Sequence, residues 1–366
     1  MHIEVGMIVP GRAGGIFVTE SALVDELRKQ PGMSVGVFEF GSRKEHEGPL
    51  ERILGRARDF MAYDRVVRRN KPDVVYIHSS YNKRALLRDI GYAFISRLRR
   101  VALIVKFHGS DAPLVEQSPF FWRLLTDLVF RWSAMVVLLS RDEMRIFETA
   151  GFPMAKLRLM KNGLSLARFE SVSSAKLNPP GILFIARFIK EKGLLDLLQA
   201  ARLVLDSGKK IRLYCVGDGP IRNEAEALAG ELHLGEAAVF TGQISEEEAT
   251  RYYLGCTILA LPTYFQEGLP MTLLQGAAAG LPIITTRIRA AADYFTDPSN
   301  CLWVEPQDPV MLAERICKLL DDTRLQRCMK QNNLELVKQF AVETVARDYL
   351  GMFKEVSARS HSLLPQ

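Results

Sequence analysis

The sequence has few cysteines and no arrangement of them that suits a bridge or a metal. They are odd in number and include no C-x-x-C pair; the five are Cys215, Cys256, Cys301, Cys317 and Cys328. This pattern argues against a disulfide framework and against a zinc site. We expect a reduced cytoplasmic protein in which all five cysteines lie buried in strands or helices.

Long hydrophobic runs are also missing. No apolar run reaches the roughly 18 to 20 residues that span a bilayer, so no transmembrane helix is expected. The first residues, Met-His-Ile-Glu-Val-Gly-Met-Ile-Val, predict a strand rather than a signal peptide. The sequence contains no internal repeat and no low-complexity segment, which argues against a repeat architecture.

The chain is long enough for two domains. Its 366 residues are 48% hydrophobic and 25% charged, and a chain of this length exceeds the usual single core. Short apolar segments alternate with helical patterns in residues 1–170 and again in 182–340, which predicts a doubly wound parallel sheet in each part. Residues 171–181 are rich in turn formers and are the predicted linker. Residues 341–366 are expected to form a C-terminal helix that crosses back to the N-terminal domain and ends in a frayed tail.

Basic residues are concentrated in the N-terminal half. The net charge is +6, but residues 1–170 carry 27 Lys and Arg against 19 Asp and Glu, a difference of +8. Residues 52–106 alone have 14 basic and 4 acidic residues, a difference of +10. A basic patch of this kind can meet anionic lipid, nucleic acid or an anionic acceptor.

The predicted helix over residues 84–100 combines this charge with an apolar stripe. Its arginines are Arg84, Arg88, Arg97, Arg99 and Arg100. Its apolar residues are Leu86, Leu87, Ile90, Phe94, Ile95 and Leu98. The helix could rest on an anionic membrane, or it could be an ordinary core-packed helix with a solvated basic face.

The most informative segment is residues 258–286. An apolar strand leads into a loop that contains Glu267, then into a helix of small residues, a Gly-Leu-Pro break and a second strand. Ligands bind at such strand ends because loops converge there and the helix start offers unpaired N–H groups. Glu267 could reach a ligand whose phosphates lie on the helix end, and Gln275, about two turns on, could bind the same ligand. This spacing suits a nucleotide sugar. Alternatively, Glu267 is only a helix N-terminal acid and Gln275 a solvated or packed amide.

Two glycine pairs follow predicted strands. Gly14 and Gly15 lie between the first strand and the first helix, and Gly217 and Gly219 follow a strand in the second half. Glycines let backbone N–H groups approach a phosphate or sugar without a Cβ in the way. Neither pair forms the G-x-G-x-x-G fingerprint, and a plain tight turn would also explain each of them.

Two further strand-end loops carry candidate polar groups. Arg187 offers a planar fork for phosphate oxygens and Lys192 a point charge at the next helix start, although both could be solvated surface charges. His108 and Asp111 flank a Gly-Ser pair after another strand and could grip sugar hydroxyls. The alternative is a strand-end histidine bonded to a turn, with Asp111 as a helix cap.

Taken in order, these motifs resemble the family-4 retaining glycosyltransferases of the GT-B architecture, and the resemblance covers nearly the whole chain. It implies two Rossmann-like doubly wound parallel-sheet domains that face a central cleft. It places Arg187 and Lys192 at the donor diphosphate and His108 near the sugar. In the family, one Glu contacts the transferred sugar and a second, eight residues on, contacts the ribose; these fall on Glu267 and on Gln275.

The resemblance also implies the rest of the donor site. Its remaining members are Gly14, Gly15, Gly217, Gly219, Gly268 and Leu269. The chain departs from the family at Gln275, whose amide can bond a ribose diol but carries no charge, and at Ala186, where a glycine is usual. The Glu-Gly-Leu-Pro form of the motif is similar to that of the branch that builds surface polysaccharides.

The sequence therefore predicts a cytoplasmic, retaining glycosyltransferase that uses a nucleotide-diphosphate sugar as co-substrate and needs no metal or other cofactor. The acceptor is expected to be a glycan or a lipid-linked molecule in surface polysaccharide, lipopolysaccharide or glycolipid synthesis. Peripheral contact with anionic membrane at the inner face of the cell membrane is expected, and contact with nucleic acid is not. A nucleotide-sugar epimerase and a catalytically silent sugar-nucleotide-binding relative stay open as alternatives.

Overall fold

The structure is a computed structural model of the chain. It describes residues 1–8, 14–41, 48–116, 119–172, 176–266 and 268–362. The chain forms two compact units. Unit 1 contains Met1–Leu164, Gln266–Leu269 and Ala341–Gln366, and unit 2 contains Ser165–Phe265 and Pro270–Phe340.

Unit 1 is built on a six-stranded parallel sheet with the strand order β2-β1-β3-β4-β5-β6. Parallel neighbours need crossover connections, and helices supply them. The strands are β1 His2–Ile8, β2 Ser34–Phe40, β3 Val74–Tyr81, β4 Ala102–Ser110, β5 Met135–Leu138 and β6 Leu157–Leu159. The helices are α1 Gly14–Arg28, α2 Pro49–Asn70, α3 Lys83–Arg99, α4 Ala112–Glu116, α5 Phe120–Trp132 and α6 Arg141–Thr149, joined by α15 Val342–Ser362 from the end of the chain.

The central strands of unit 1 are buried on both faces, which explains their continuous apolar sequences. One side of the sheet packs against α2, α3, α5 and α6 around large aromatic side chains such as Tyr92 and Phe147. The opposite side packs against α1 and α15, and α15 contributes Tyr349 and Phe353 to that core. Local signals set the helix ends. For example, the Asn82 side chain accepts a hydrogen bond from the Ala85 N–H at the start of α3.

Unit 2 contains a second six-stranded parallel sheet with the order β12-β11-β10-β7-β8-β9. The strands are β7 Gly181–Ile185, β8 Arg212–Val216, β9 Ala238–Gly242, β10 Ile258–Leu261, β11 Ile283–Thr286 and β12 Cys301–Val304. The helices are α7 Ala167–Ser171, α8 Leu194–Asp206, α9 Arg222–Glu231, α10 Glu246–Gly255, α11 Met271–Ala278, α12 Arg289–Tyr294, α13 Pro309–Asp321 and α14 Thr323–Leu336.

The two predicted doubly wound parallel sheets are confirmed. The sequence pattern missed β6 and β12, which are edge strands of three and four residues, and it missed α14, whose residues are mostly polar. The expectation for the cysteines was wrong in part. Cys215, Cys256 and Cys301 are buried, but the other two are not: Cys317 is half-buried and Cys328 is exposed on α14.

Across the part of the chain that the structure describes, no helix combines the length and the hydrophobicity that crossing a bilayer requires.

Candidate functional site

In unit 2, two strand-end loops are bonded to each other. The carbonyl oxygen of Glu191, in the loop after β7, accepts hydrogen bonds from Tyr264 N at 2.8 Å, from Phe265 N at 3.1 Å and from Thr263 Oγ1 at 3.1 Å. Those three donors belong to the loop after β10. The two loops therefore form one surface at the carboxyl edge of the sheet, where ligands of such sheets bind.

Both predicted diphosphate ligands lie on the first of these loops. Arg187 is exposed, and no side chain in the described ranges pairs with its guanidinium group. Lys192 is buried, and its Nζ lies 5.0 Å from the centre of the Phe265 ring. Lys190, in the same loop, instead pairs with Glu224 at 3.1 Å. In this loop, the positive charge of Arg187 is thus not balanced by a described side chain, and Lys192 is held in a defined position.

Gly217 and Gly219 lie against the backbone of the loop after β7. A Cβ on Gly217 would come within 2.0 Å of the Ala186 oxygen, and a Cβ on Gly219 within 2.3 Å of the Phe188 oxygen. Phe188 N also donates to the Asp218 oxygen at 2.9 Å. These glycines are needed to bring the loop after β8 beside the loop that carries Arg187, whether or not they also touch a ligand.

Gln275 on α11 is tied to the interior of unit 2. Its Oε1 accepts a hydrogen bond from Tyr253 Oη at 2.7 Å. Tyr253 is wholly buried, and burial raises the pKa of its phenol, so it remains a donor. Thr272, one turn earlier, bonds the Ile185 oxygen at 3.1 Å and fixes α11 beside β7. Gln275 is therefore partly a packed polar group, as one of the alternatives had it, and its ribose contact stays a prediction.

Glu267 lies outside the described residues. The next residue, Gly268, donates its N–H to the His108 oxygen at 3.1 Å, and Leu269 is buried. Gly268, Leu269 and His108 are thus together in unit 1, whereas Arg187, Lys192, Gly217, Gly219 and Gln275 are together in unit 2.

Gly14 and Gly15 are the first two residues of α1. The sequence pattern placed both glycines between the first strand and this helix, so the helix begins earlier than predicted. Backbone N–H groups in the first turn of a helix have no partner within the helix, so this position can accept an anion. Residues 9–13, which complete the motif, are outside the described ranges.

The sequence analysis missed a buried ionic cluster around His108. Lys106 Nζ lies 2.6 Å from Glu20 Oε1, and His108 Nε2 lies 3.2 Å from the same oxygen. His78 Nε2 lies 3.6 Å from Glu20 Oε2. The side chains of all four residues are 6% exposed or less. They come from α1, β3 and β4, and they fix His108 against the interior of unit 1.

The charges in this cluster follow from its contacts. Burial raises the pKa of Glu20, but His78, Lys106 and His108 outweigh burial and hold it well below its usual range. Burial lowers the pKa of Lys106, but Glu20 more than compensates and raises it overall. Burial lowers the pKa of His78 to about 3, and burial with the nearby Lys106 lowers that of His108. The cluster therefore holds one carboxylate, one ammonium group and two neutral imidazoles at neutral pH.

The ligand atoms of Glu20, His78 and His108 lie within 4.8 Å of one another, close enough to hold a metal ion. The Lys106 ammonium group does not favour that use, because it already neutralises Glu20 and would repel a second cation. The signal in the sequence was a lysine inside the apolar strand Leu103-Ile-Val-Lys106-Phe. A charge in a strand that is buried on both faces requires a buried partner.

Two family models match the chain, one on each half. The model described as glycosyl transferase 4-like domain matches residues 3–163, and the model described as glycosyl transferases group 1 matches residues 168–335. An alpha-D-kanosaminyltransferase from Streptomyces kanamyceticus is 24% identical over 285 residues, which cover 72% of each chain. A lipopolysaccharide core biosynthesis glycosyltransferase from Rhizobium meliloti is 27% identical over 201 residues, which cover 53% of this chain and 57% of that protein.

Solved structures match over almost the full length. A sucrose-phosphate synthase from Thermosynechococcus elongatus superposes with a TM-score of 0.79 and 18% identity, covering 98% of this chain and 100% of the other. Anabaena HepE in complex with UDP and glucose gives a TM-score of 0.74 with 16% identity and covers 96% and 99%.

Two Rossmann-like units with these structural neighbours show the GT-B fold. With a glycosyltransferase model matched on each half, the chain belongs to the family-4 glycosyltransferases. Both the fold class and the family that the motifs predicted are confirmed.

Proposed function

We propose that this enzyme transfers a sugar from a nucleotide-diphosphate donor to a glycan or lipid-linked acceptor, with retention at the anomeric carbon and without a metal. The observation that carries the proposal is the loop after β7 at the carboxyl edge of the sheet. There the charge of Arg187 is not balanced by any side chain in the described ranges, and Lys192 is held against the Phe265 ring. Two of the relatives support it: HepE was solved with UDP and glucose, and the Rhizobium meliloti protein acts in lipopolysaccharide core synthesis.

In the proposed reaction, Arg187 and Lys192 stabilise the negative charge that grows on the departing diphosphate. The acceptor hydroxyl attacks from the face that the diphosphate leaves, forms the new C–O bond and passes its proton to the departing oxygen. No protein nucleophile is needed. Glu267 and His108 orient the sugar, Gln275 bonds the ribose, and the glycine loops at Gly14–Gly15 and Gly217–Gly219 provide close backbone contacts. The two cations do the electrostatic work that a metal would otherwise do.

Titration calorimetry with a panel of nucleoside diphosphates tests the donor half of this proposal. One diphosphate is expected to bind more tightly than the others, and its sugar conjugate should be consumed only when an acceptor is supplied. NMR of the product should then show the anomeric configuration of the donor. Change at a sugar stereocentre without acceptor would instead indicate an epimerase, and binding without any turnover would indicate a silent relative.

We further propose that unit 1 docks on anionic membrane through a docking face on α2, α3 and α5. α3 packs against both of the other helices. Ten large hydrophobic side chains of these helices are exposed by 42 to 84%. They are Leu50, Ile53, Leu54, Met61, Leu87, Phe94, Leu98, Phe120, Phe121 and Leu124. Exposed apolar groups beside basic ones are typical of membrane-binding surfaces.

Some residues of the predicted basic and apolar patch do not contribute to the surface as the sequence suggested. Lys106 is wholly buried and so does not contribute to the surface, and Leu86 is buried in the core. Arg99 bonds Asp64 at 2.6 Å, which partly neutralises it. The docking face therefore depends more on exposed apolar side chains than the charge count alone suggested.

Co-sedimentation with vesicles tests the docking face. Leu50→Ser combined with Leu54→Ser should lower partitioning onto anionic vesicles at least about tenfold, because each leucine loses on the order of 1 kcal/mol or more of apolar burial. The matched control is Leu203→Ser with Leu334→Ser in unit 2, where the leucines are 41% and 38% exposed. Binding should weaken with salt. Equal partitioning of both variants with the wild type would contradict the docking face.

A further inference from the structure

Unit 1 contains a cavity of about 620 Å³ at the carboxyl ends of its first three strands. The strand ends contribute Ile8, Gly41 and His78 to its lining. The walls are formed by α2 and α3, which contribute four arginines: Arg52, Arg56, Arg84 and Arg88. The cavity has the size of a site for a small molecule, and none of the predicted donor-site residues lines it.

The first turns of α2 lack the usual amphipathic pattern, because their arginines and their large apolar residues are both exposed. Arg52 and Arg56 line the cavity, whereas Leu50, Ile53 and Leu54 are 60 to 67% exposed. An ordinary amphipathic helix turns its apolar side inward and its charges outward. Further along α2 the usual arrangement returns, with Tyr63 and Val67 buried on the inner side and Met61 exposed. The first two turns are therefore exposed on several sides, and their arginines border the cavity without being packed into a core.

Most of the positive charge in the cavity is uncompensated. Arg88 is neutralised, since its guanidinium group bonds Asp89 Oδ1 at 2.7 and 2.9 Å and Ser79 Oγ at 2.9 Å. For Arg52, Arg56 and Arg84, in contrast, no carboxylate in the described ranges lies within ion-pair distance. The cavity also contains the carboxylate of Asp59, which accepts a hydrogen bond from Gly41 N at 2.9 Å.

His78 supplies an independent indication of a ligand. The residue lines the cavity and its side chain is 1% exposed. Its Nε2 lies 3.6 Å from Glu20 Oε2, and neither ring nitrogen makes a hydrogen bond with any part of the protein that the structure describes. A buried polar group without a partner costs free energy, and ligand or ordered water commonly satisfies it. Burial keeps this imidazole neutral, with a pKa of about 3, so it has one N–H to donate.

We propose that this cavity binds the phosphate group of a phosphorylated acceptor, an inference that rests on the proposed function. Three guanidinium groups exceed the single charge of a carboxylate and match the charge and the several acceptor oxygens of a phosphate ester. The apolar side of α2 lies on the outer surface beside the cavity. A lipid-linked phosphate and a soluble sugar phosphate share the chemistry that the arginines recognise.

The test measures binding of glycerol 3-phosphate by ³¹P NMR in the Lys192→Ala background, which removes a cation from the donor site. The triple variant Arg52→Ser, Arg56→Ser, Arg84→Ser should bind at least tenfold more weakly. The matched control is Arg65→Ser, Arg69→Ser, Arg97→Ser, which removes the same charge from the same two helices at exposed positions outside the cavity. The control should bind as the parent does. Equal weakening of both triples, or none, would overturn the proposal.

Two further measurements complete the design. In a second series, vesicles that contain phosphatidic acid replace glycerol 3-phosphate. If the cavity triple binds these vesicles more weakly than the control triple does, a lipid headgroup reaches the cavity. If the cavity triple loses binding only to glycerol 3-phosphate, the phosphate comes from a soluble source. Nucleoside diphosphate binding is measured for both triples with Lys192 restored. Nucleoside diphosphate binding should be the same in both triples as in the wild type. If the parent binds the diphosphate but not glycerol 3-phosphate, the phosphate site in the cavity is rejected. If no nucleoside diphosphate binds, the proposed function is rejected separately.

Discussion

Arg187→Ala should lower kcat about a hundredfold, and Lys192→Ala should have a similar effect. Each change removes one positive charge from the departing diphosphate, and loss of one preorganised charge contact typically raises the barrier by about 3 kcal/mol. The fold should survive, because Arg187 is exposed. Lys192→Ala should also cost a little stability, since Lys192 loses its contact with Phe265. The measurement is steady-state kinetics with the donor identified by calorimetry.

Lys190→Ala is the matched control for these variants. It removes a cation from the same loop, but Lys190 is exposed and pairs with Glu224. Its kcat should stay close to that of the wild type. If Arg187→Ala were as active as Lys190→Ala, Arg187 would have no role at the diphosphate and the proposed function would lose the observation that carries it.

Much of the fold could be predicted because it depends on local patterns. Alternation of apolar strands and amphipathic helices predicts a parallel sheet, and the loops at its carboxyl edge then collect the polar motifs. Arg187 and Lys192 could be located in this way, since both lie within eight residues of the end of β7. The edge strands β6 and β12 could not, because three or four residues carry too little pattern.

Contacts between distant segments were beyond the sequence. Lys106 was counted with the surface charges, because a charge count does not show that Glu20, 86 residues earlier, lies beside it. The hydrogen bond of Gln275 was likewise not visible in the sequence, because its partner Tyr253 is on another helix. The position of Arg52 beside the cavity was also hidden, because a helical pattern alone does not show which strand ends lie next to it.

Lys106→Met should destabilise unit 1 by about 3 to 5 kcal/mol, because it leaves the Glu20 carboxylate buried without its cation. Hydrogen exchange of the β4 amides reports this loss locally. The exposed Lys354 on α15 provides the control, and Lys354→Met should change stability by no more than about 0.5 kcal/mol. Glu20→Leu combined with Lys106→Met removes both charges and should recover part of the loss.

The pH dependence separates a broken ion pair from simple loss of packing. In the wild type, the lowered pKa of Glu20 contributes stability above its unfolded pKa that is lost as pH falls. Lys106→Met removes a cation that counteracts the effect of burial on Glu20, so the pKa of Glu20 in the folded protein should rise. The deficit of the variant relative to the wild type should therefore shrink as the pH falls from 7 toward 5 and Glu20 takes up a proton. A deficit that is independent of pH would show that Lys106 stabilises β4 through its aliphatic chain and not through Glu20.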